Sequence, residues 1–150
     1  MKTEIDQWRE QSGLNYFVKP ESDPLKRAID LSVNIDDLNM VEMDQTLLVL
    51  SNYHTYLSSQ SGIIGARVLY LEDALNSKID LKASRYTAPS AAERRAIAIS
   101  RDEDMQLLKE KLNKEQTKQL MLRPIVDSIK LKIDALKKIY DRRGRSINGT

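Results

Sequence analysis

Between residues 81 and 101 the chain reads LKASRYTAPSAAERRAIAISR, and the side chains there that could do chemistry are Lys82, Arg85, Tyr86, Arg94, Arg95 and Arg101, set around Pro89. Cations beside an aromatic ring can hold a nucleic-acid single strand without regard to sequence, with the charges on phosphates and the ring against a base. Over residues 78–101 the cations Lys78, Lys82, Arg85, Arg94, Arg95 and Arg101 outnumber Asp80 and Glu93, an excess of 6 − 2 = +4. The same side chains admit a second arrangement, as salt bridges between helices.

A further basic set runs from 123 to 145: Arg123, Lys130, Lys132, Lys137, Lys138, Arg142, Arg143 and Arg145, against Asp127, Asp134 and Asp141. The three acids recur every seventh residue, as on a solvated coiled-coil flank. An extended phosphate contact explains the DRRGR end equally well.

Most other chemistry finds no residues to carry it. There is no cysteine, which excludes a disulfide framework and a thiolate metal site. His54 is the single histidine, so a histidine metal cluster has no second ligand. Neither a GxxxxGK[ST] loop nor a GxGxxG turn occurs. Asp102, Glu103 and Asp104 in RDED diverge around a helix rather than converge on a metal or a scissile bond. The expectation is therefore a protein that is not an enzyme and carries no cofactor.

The elements that must position these groups are helical. From Asn34, a candidate N-cap followed by Asp36 and Asp37, helical spacing runs to about residue 82. Leu47, Leu50, His54, Leu57, Ser61, Ile64, Val68, Leu71 and Leu75 alternate steps of three and four, which is a coiled-coil seam with two polar positions. Pro89 stops this pattern, and SAAE at 90–93 is a capping box that opens the next helix. Its seam is Met105, Leu108, Leu112, Glu115, Gln119, Leu122, Val126, Ile129, Ile133, Leu136 and Tyr140, and it keeps register across Pro124. Gly144 reads as the C′ residue after Arg142 and Arg143. Gly62 and Gly65 read as a close helix approach or a bend.

Before these helices, TEIDQWREQ suits a short helix capped by Thr3 and ended by Gly13, with Ile5 and Trp8 on one face. The stretch LNYFVKPESDPLKR, with Tyr16, Phe17 and two prolines, reads as an extended docking arm. The expected fold class is all-α: two long coiled-coil-like helices joined by a short basic turn, preceded by the short helix and arm. This gives an N-terminal region over 1–33 and a single oligomerisation and binding region over 34–150. A chain that is 31% charged and only 5% aromatic suits long amphipathic helices better than a lone compact globule. Self-association is therefore expected through Leu57, Ile64, Val68, Leu71, Leu75, Ile129, Ile133 and Leu136.

Charge is graded along the chain. Residues 1–50 carry 5 − 10 = −5, residues 51–100 carry 6 − 4 = +2, and residues 101–150 carry 13 − 8 = +5. An acidic end and a basic end can meet two kinds of partner, or can dock neighbouring subunits head to tail. No apolar run is long enough to span a bilayer. The opening MKTEIDQWRE has acids where a signal peptide needs an apolar stretch, so the expected compartment is the cytoplasm, that of the host if the chain is phage-encoded.

The order of these features resembles the UvsY family of phage recombination mediators. TEIDQWREQ looks like that family's acidic N-terminal helix, and NIDDLN leading to LSNYHTYLSSQ looks like the start of its long helix. LKASRY is similar to its basic LKAR segment, ERRAIAISRDED to its short polar helix start, and IVDSIKLKIDALKKIYDRR to its terminal helix. The resemblance implies an all-helical protein forming a hexameric or heptameric ring. It further implies binding to single-stranded DNA and help to a recombinase in replacing single-strand-binding protein, without ATP hydrolysis by the mediator. It puts Lys82, and Arg85 with a one-residue shift, in the DNA-contact role, whereas Arg94 and Arg95 follow from charge and placement. The turn here is shorter than the family's and lacks its glycine-rich insertion. The alternative is a coiled-coil structural or adaptor protein of a virion or scaffold, in which the basic turn is a salt-bridged corner.

Overall fold

The computed structural model describes residues 4–12 and 19–149, and among these every regular element is a helix. The elements are α1 (Glu4–Gln11), α2 (Ser22–Leu31), a 3-10 turn (Ile35–Asp37), α3 (Met40–Ala83), α4 (Ala91–Arg101) and α5 (Glu103–Asn148). The expected Thr3 cap, the Gly13 stop and the Tyr16–Phe17 pair lie outside the described residues. Trp8 on α1 is exposed. No described helix is long and apolar enough to cross a membrane.

Two compact units divide the chain, one formed by the residues up to Ser61 with those from Leu122 onward, the other by Gly62–Met121. In the first unit the early turns of α3 pack on the late turns of α5. Leu38, Met43, Leu50 and Leu57 are buried with Ile129, Ile133 and Leu136, and α2 adds Ala28, with Leu25 and Ile29 packed against the cluster. In the second unit Val68, Leu75, Ile79 and Ala83 of α3 are buried with Ala98 of α4 and Met105 and Leu112 of α5. Here α3 and α5 run antiparallel: Gln119 lies beside Gly65, Gln116 hydrogen-bonds Glu72, and Asp102 pairs with Lys82.

Both seams are therefore buried or half-buried along their whole length, as their spacing requires. Their partner is the other long helix of the same chain. The residues assigned to self-association, Leu57, Ile64, Val68, Leu71, Leu75, Ile129, Ile133 and Leu136, all belong to these intrachain clusters. A repeat of three and four specifies that a face is covered and is silent on whether the cover is a second copy.

The extended-arm expectation is corrected over residues 22–31, which form α2. Pro24 stands in the first turn, where a missing N–H leaves no intrahelical bond unmade. The expected cap at Asn34 moves as well. Asn34 precedes only the 3-10 turn, and α3 starts after Asn39, whose Oδ1 accepts from the Glu42 N–H at 2.8 Å while Glu42 Oε2 accepts from the Asn39 N–H at 3.0 Å. That reciprocal pair satisfies two otherwise orphaned donors.

Two boundaries in the second half also differ from expectation. The helix opened by Ser90 ends at Arg101, and α5 begins anew after Asp102. Gly144 does not end α5, which continues to Asn148. The roughly 1 kcal/mol propensity cost of one glycine is offset by a tie made one residue earlier: Arg143 donates to the carbonyls of Leu38 and Asp36, the latter at 2.7 Å. Pro124 lies inside α5 and removes one backbone bond without ending it.

Candidate nucleic-acid interface

The basic corner is built by three helix ends in the second unit. The last two turns of α3 supply Asn76, Asp80 and Lys82, and the loop from Ser84 to Ser90 supplies Arg85, Tyr86 and the Ala88 carbonyl. Helix α4 supplies Arg94, Arg95 and Arg101, and Asp102 stands between α4 and α5. Ser90 fixes where α4 begins, its Oγ accepting from the Glu93 N–H at 3.2 Å. This bears out Ser90 as the cap but only half of the capping box, since the Glu93 carboxylate does not reach back to the Ser90 N–H. Asp102 fixes where α5 begins, with Oδ1 accepting from the N–H groups of Asp104 at 2.9 Å and Met105 at 3.2 Å.

Most of the corner's cations are bound within the chain. Lys82 Nζ forms an ion pair with Asp102 Oδ2, so one carboxylate both caps α5 and holds the last turn of α3. Arg95 pairs with Asp80 through Nη1 and donates to Asn76 Oδ1 through Nη2 at 3.0 Å. Arg94 Nη1 donates to the Ala88 carbonyl at 2.9 Å and so braces the loop before its own helix. Placing Arg94 and Arg95 near the start of α4, against the helix dipole, is offset by these contacts.

Tyr86 and Arg101 form a pair of another kind. The ring is half-buried against the core of this unit, and the Arg101 guanidinium carbon lies over it at 5.6 Å. That is within cation–π range. The exposed member of the stack is Arg101, so the guanidinium, more than the phenol ring, is presented outward. Arg85 is exposed, and among the described residues its side chain makes no hydrogen bond or ion pair. Lys78 is exposed and unpaired in the same way.

The sequence window therefore brings together the six residues it singled out, but overstates their free charge. Extending it to residue 104 adds Asp102, Glu103 and Asp104, and the balance becomes 6 − 5 = +1. The sequence signal for this lay in RDED itself. An acid directly before a helix start is a cap, and acids in the first turn complement the dipole.

No group of three or more potential metal ligands is found among the described residues. Glu115, a polar residue in the α5 seam, is the only described residue with a buried side-chain oxygen that lacks a hydrogen-bond partner; its other oxygen accepts from Lys118 at 2.8 Å. Comparisons with protein-family models, with curated proteins and with solved structures found no match.

Proposed function

We propose that the chain is a non-enzymatic, self-associating protein that binds single-stranded DNA and assists a recombinase in replacing single-strand-binding protein, in the manner of the UvsY family. The observation that carries this reading is the presentation of Arg85 and Arg101. Both are exposed on a corner that Lys82, Arg94 and Arg95 hold in place. Cations fixed before binding lose less freedom on meeting a phosphate backbone. On this reading Lys82, Arg94 and Arg95 act chiefly as braces, Arg85 and Arg101 meet phosphate, and Tyr86 supports Arg101. With both seams spent on intrachain packing, self-association uses other faces.

The test is binding of the purified protein to labelled oligo-dT over a salt series, followed by recombinase loading onto DNA already coated with single-strand-binding protein. Salt-sensitive binding and faster loading are expected. Binding without any effect on loading would leave a single-strand binder and remove the mediator role.

A second reading is favoured by the Lys82–Asp102 and Arg95–Asp80 ion pairs. In it the corner is purely a brace and the chain is a structural or adaptor protein of a helical assembly. It requires no affinity for oligo-dT at moderate salt.

A further inference from the structure

Six cations on α5 from Arg123 onward are left unused by the fold and by the corner: Arg123, Lys130, Lys137, Lys138, Arg142 and Arg145. All are exposed, and none makes an ion pair or a side-chain hydrogen bond among the described residues. Two neighbours in the same stretch behave differently. Lys132 donates to Ser32 Oγ at 3.2 Å and Arg143 clamps the carbonyls before α3, so these two serve the fold of the first unit.

The six lie along about 33 Å of helix at 1.5 Å per residue. Lys138, Arg142 and Arg145 follow one another at steps of four and three, which keeps them in line on one face. Asp127, Asp134 and Asp141 share the exposed surface, giving it 6 − 3 = +3. These acids stand four residues from several of the cations, yet no ion pair forms between them. Exposed pairs at that spacing contribute so little that the acids do not hold these cations against a phosphate.

We propose that this outer face of α5, more than the α3–α4 corner, is the principal phosphate-tracking surface for single-stranded nucleic acid. The assignment rests on the single-strand reading given above and names the surface that supplies most of its affinity. A row of unpaired cations on a continuous helix neutralises several phosphates at once, and each contact adds a counterion-release term. The corner offers fewer free charges, because its own acids already occupy Lys82 and Arg95.

The test uses the full chain, labelled oligo-dT and a matched duplex, with anisotropy read over a salt series. Four proteins are compared: the parent, K130Q/K137Q/K138Q/R142Q, the charge-gain variant D134N/D141N, and R85Q at the corner. The quadruple variant is expected to lose at least about tenfold in affinity, with the log–log salt slope shallower by up to about 3 for four contacts. D134N/D141N, which removes only surface carboxylates and does not depend on a variant losing function, is expected to bind several-fold tighter. R85Q is expected to bind within a few-fold of the parent.

Unchanged affinity and slope in the quadruple variant, or no gain in D134N/D141N together with a large loss in R85Q, would overturn the assignment. A parent protein that binds no DNA at low salt would remove the single-strand reading and this surface with it. Duplex held as tightly as oligo-dT, with the same pattern of variants, would keep the surface and refute only the preference for single strands.

Discussion

Lys82 on the last turn of α3 is ion-paired with Asp102, the residue whose other oxygen caps α5. A single carboxylate thus closes the corner twice, once through charge and once through the backbone. It also engages Lys82 within the chain, which is why this pair decides how the corner is understood.

The two roles of Asp102 separate by substitution. Asp102→Asn keeps a capping oxygen and loses the charge, whereas Asp102→Ala loses both. The alanine variant is expected to be destabilised by about 1 kcal/mol or slightly more from the lost cap, and the asparagine variant by clearly less, as urea unfolding would show. Equal losses would mean that the cap contributes nothing.

Gly62 sits within α3, exposed, with nothing within 4 Å of where a Cβ would stand. Gly62→Ala is therefore expected to stabilise the protein by up to about 1 kcal/mol, seen as a higher Tm. At Gly65 a Cβ would meet the Gln119 amide nitrogen at 3.6 Å, an ordinary contact. Neither glycine is required by close packing. A lower Tm for Gly62→Ala would point to a covering surface that this chain does not itself supply.

Leu50 and Leu136 are fully buried in the first unit. Truncation to alanine at either site is expected to cost about 2–5 kcal/mol. Because the packing is within one chain, either variant is expected to show the same dependence of its unfolding midpoint on protein concentration as the parent. A variant whose midpoint depends on concentration differently from the parent's would assign these residues to an interface between copies.

Arg143 ties α5 to the segment before α3 through two carbonyls. Arg143→Met keeps much of the apolar stem and removes both donors. A loss of about 1 kcal/mol is expected for such partly exposed bonds, with faster amide exchange at Leu38 and Met43. Unchanged exchange there would show that the clamp is not needed to hold the start of α3.

The long seams were legible in the sequence because burial imposes a period. Leu50, Leu57, Val68, Leu75, Met105, Leu112, Ile129, Ile133 and Leu136 are all buried where the spacing puts them. What covers them was not legible, since a partner helix from the same chain and one from another demand the same pattern. Pro24 hid α2, because the features that make a turn also suit a first helical turn. Gly144 suggested a stop that the tie of Arg143 overrides. At the corner the residue types were read and their partners were not. Asp80, Asn76 and Asp102 reach Arg95 and Lys82 across separate helices, and no local spacing announces such contacts.

The central claim, that this helical protein binds single-stranded nucleic acid through exposed cations, is tested most directly by anisotropy of labelled oligo-dT with the unmodified chain as salt is raised. Binding is expected at low salt, with log affinity falling by roughly 0.7 per phosphate neutralised for each unit of log salt. No binding at low salt would contradict the claim and leave the corner's arginines as braces of a structural protein.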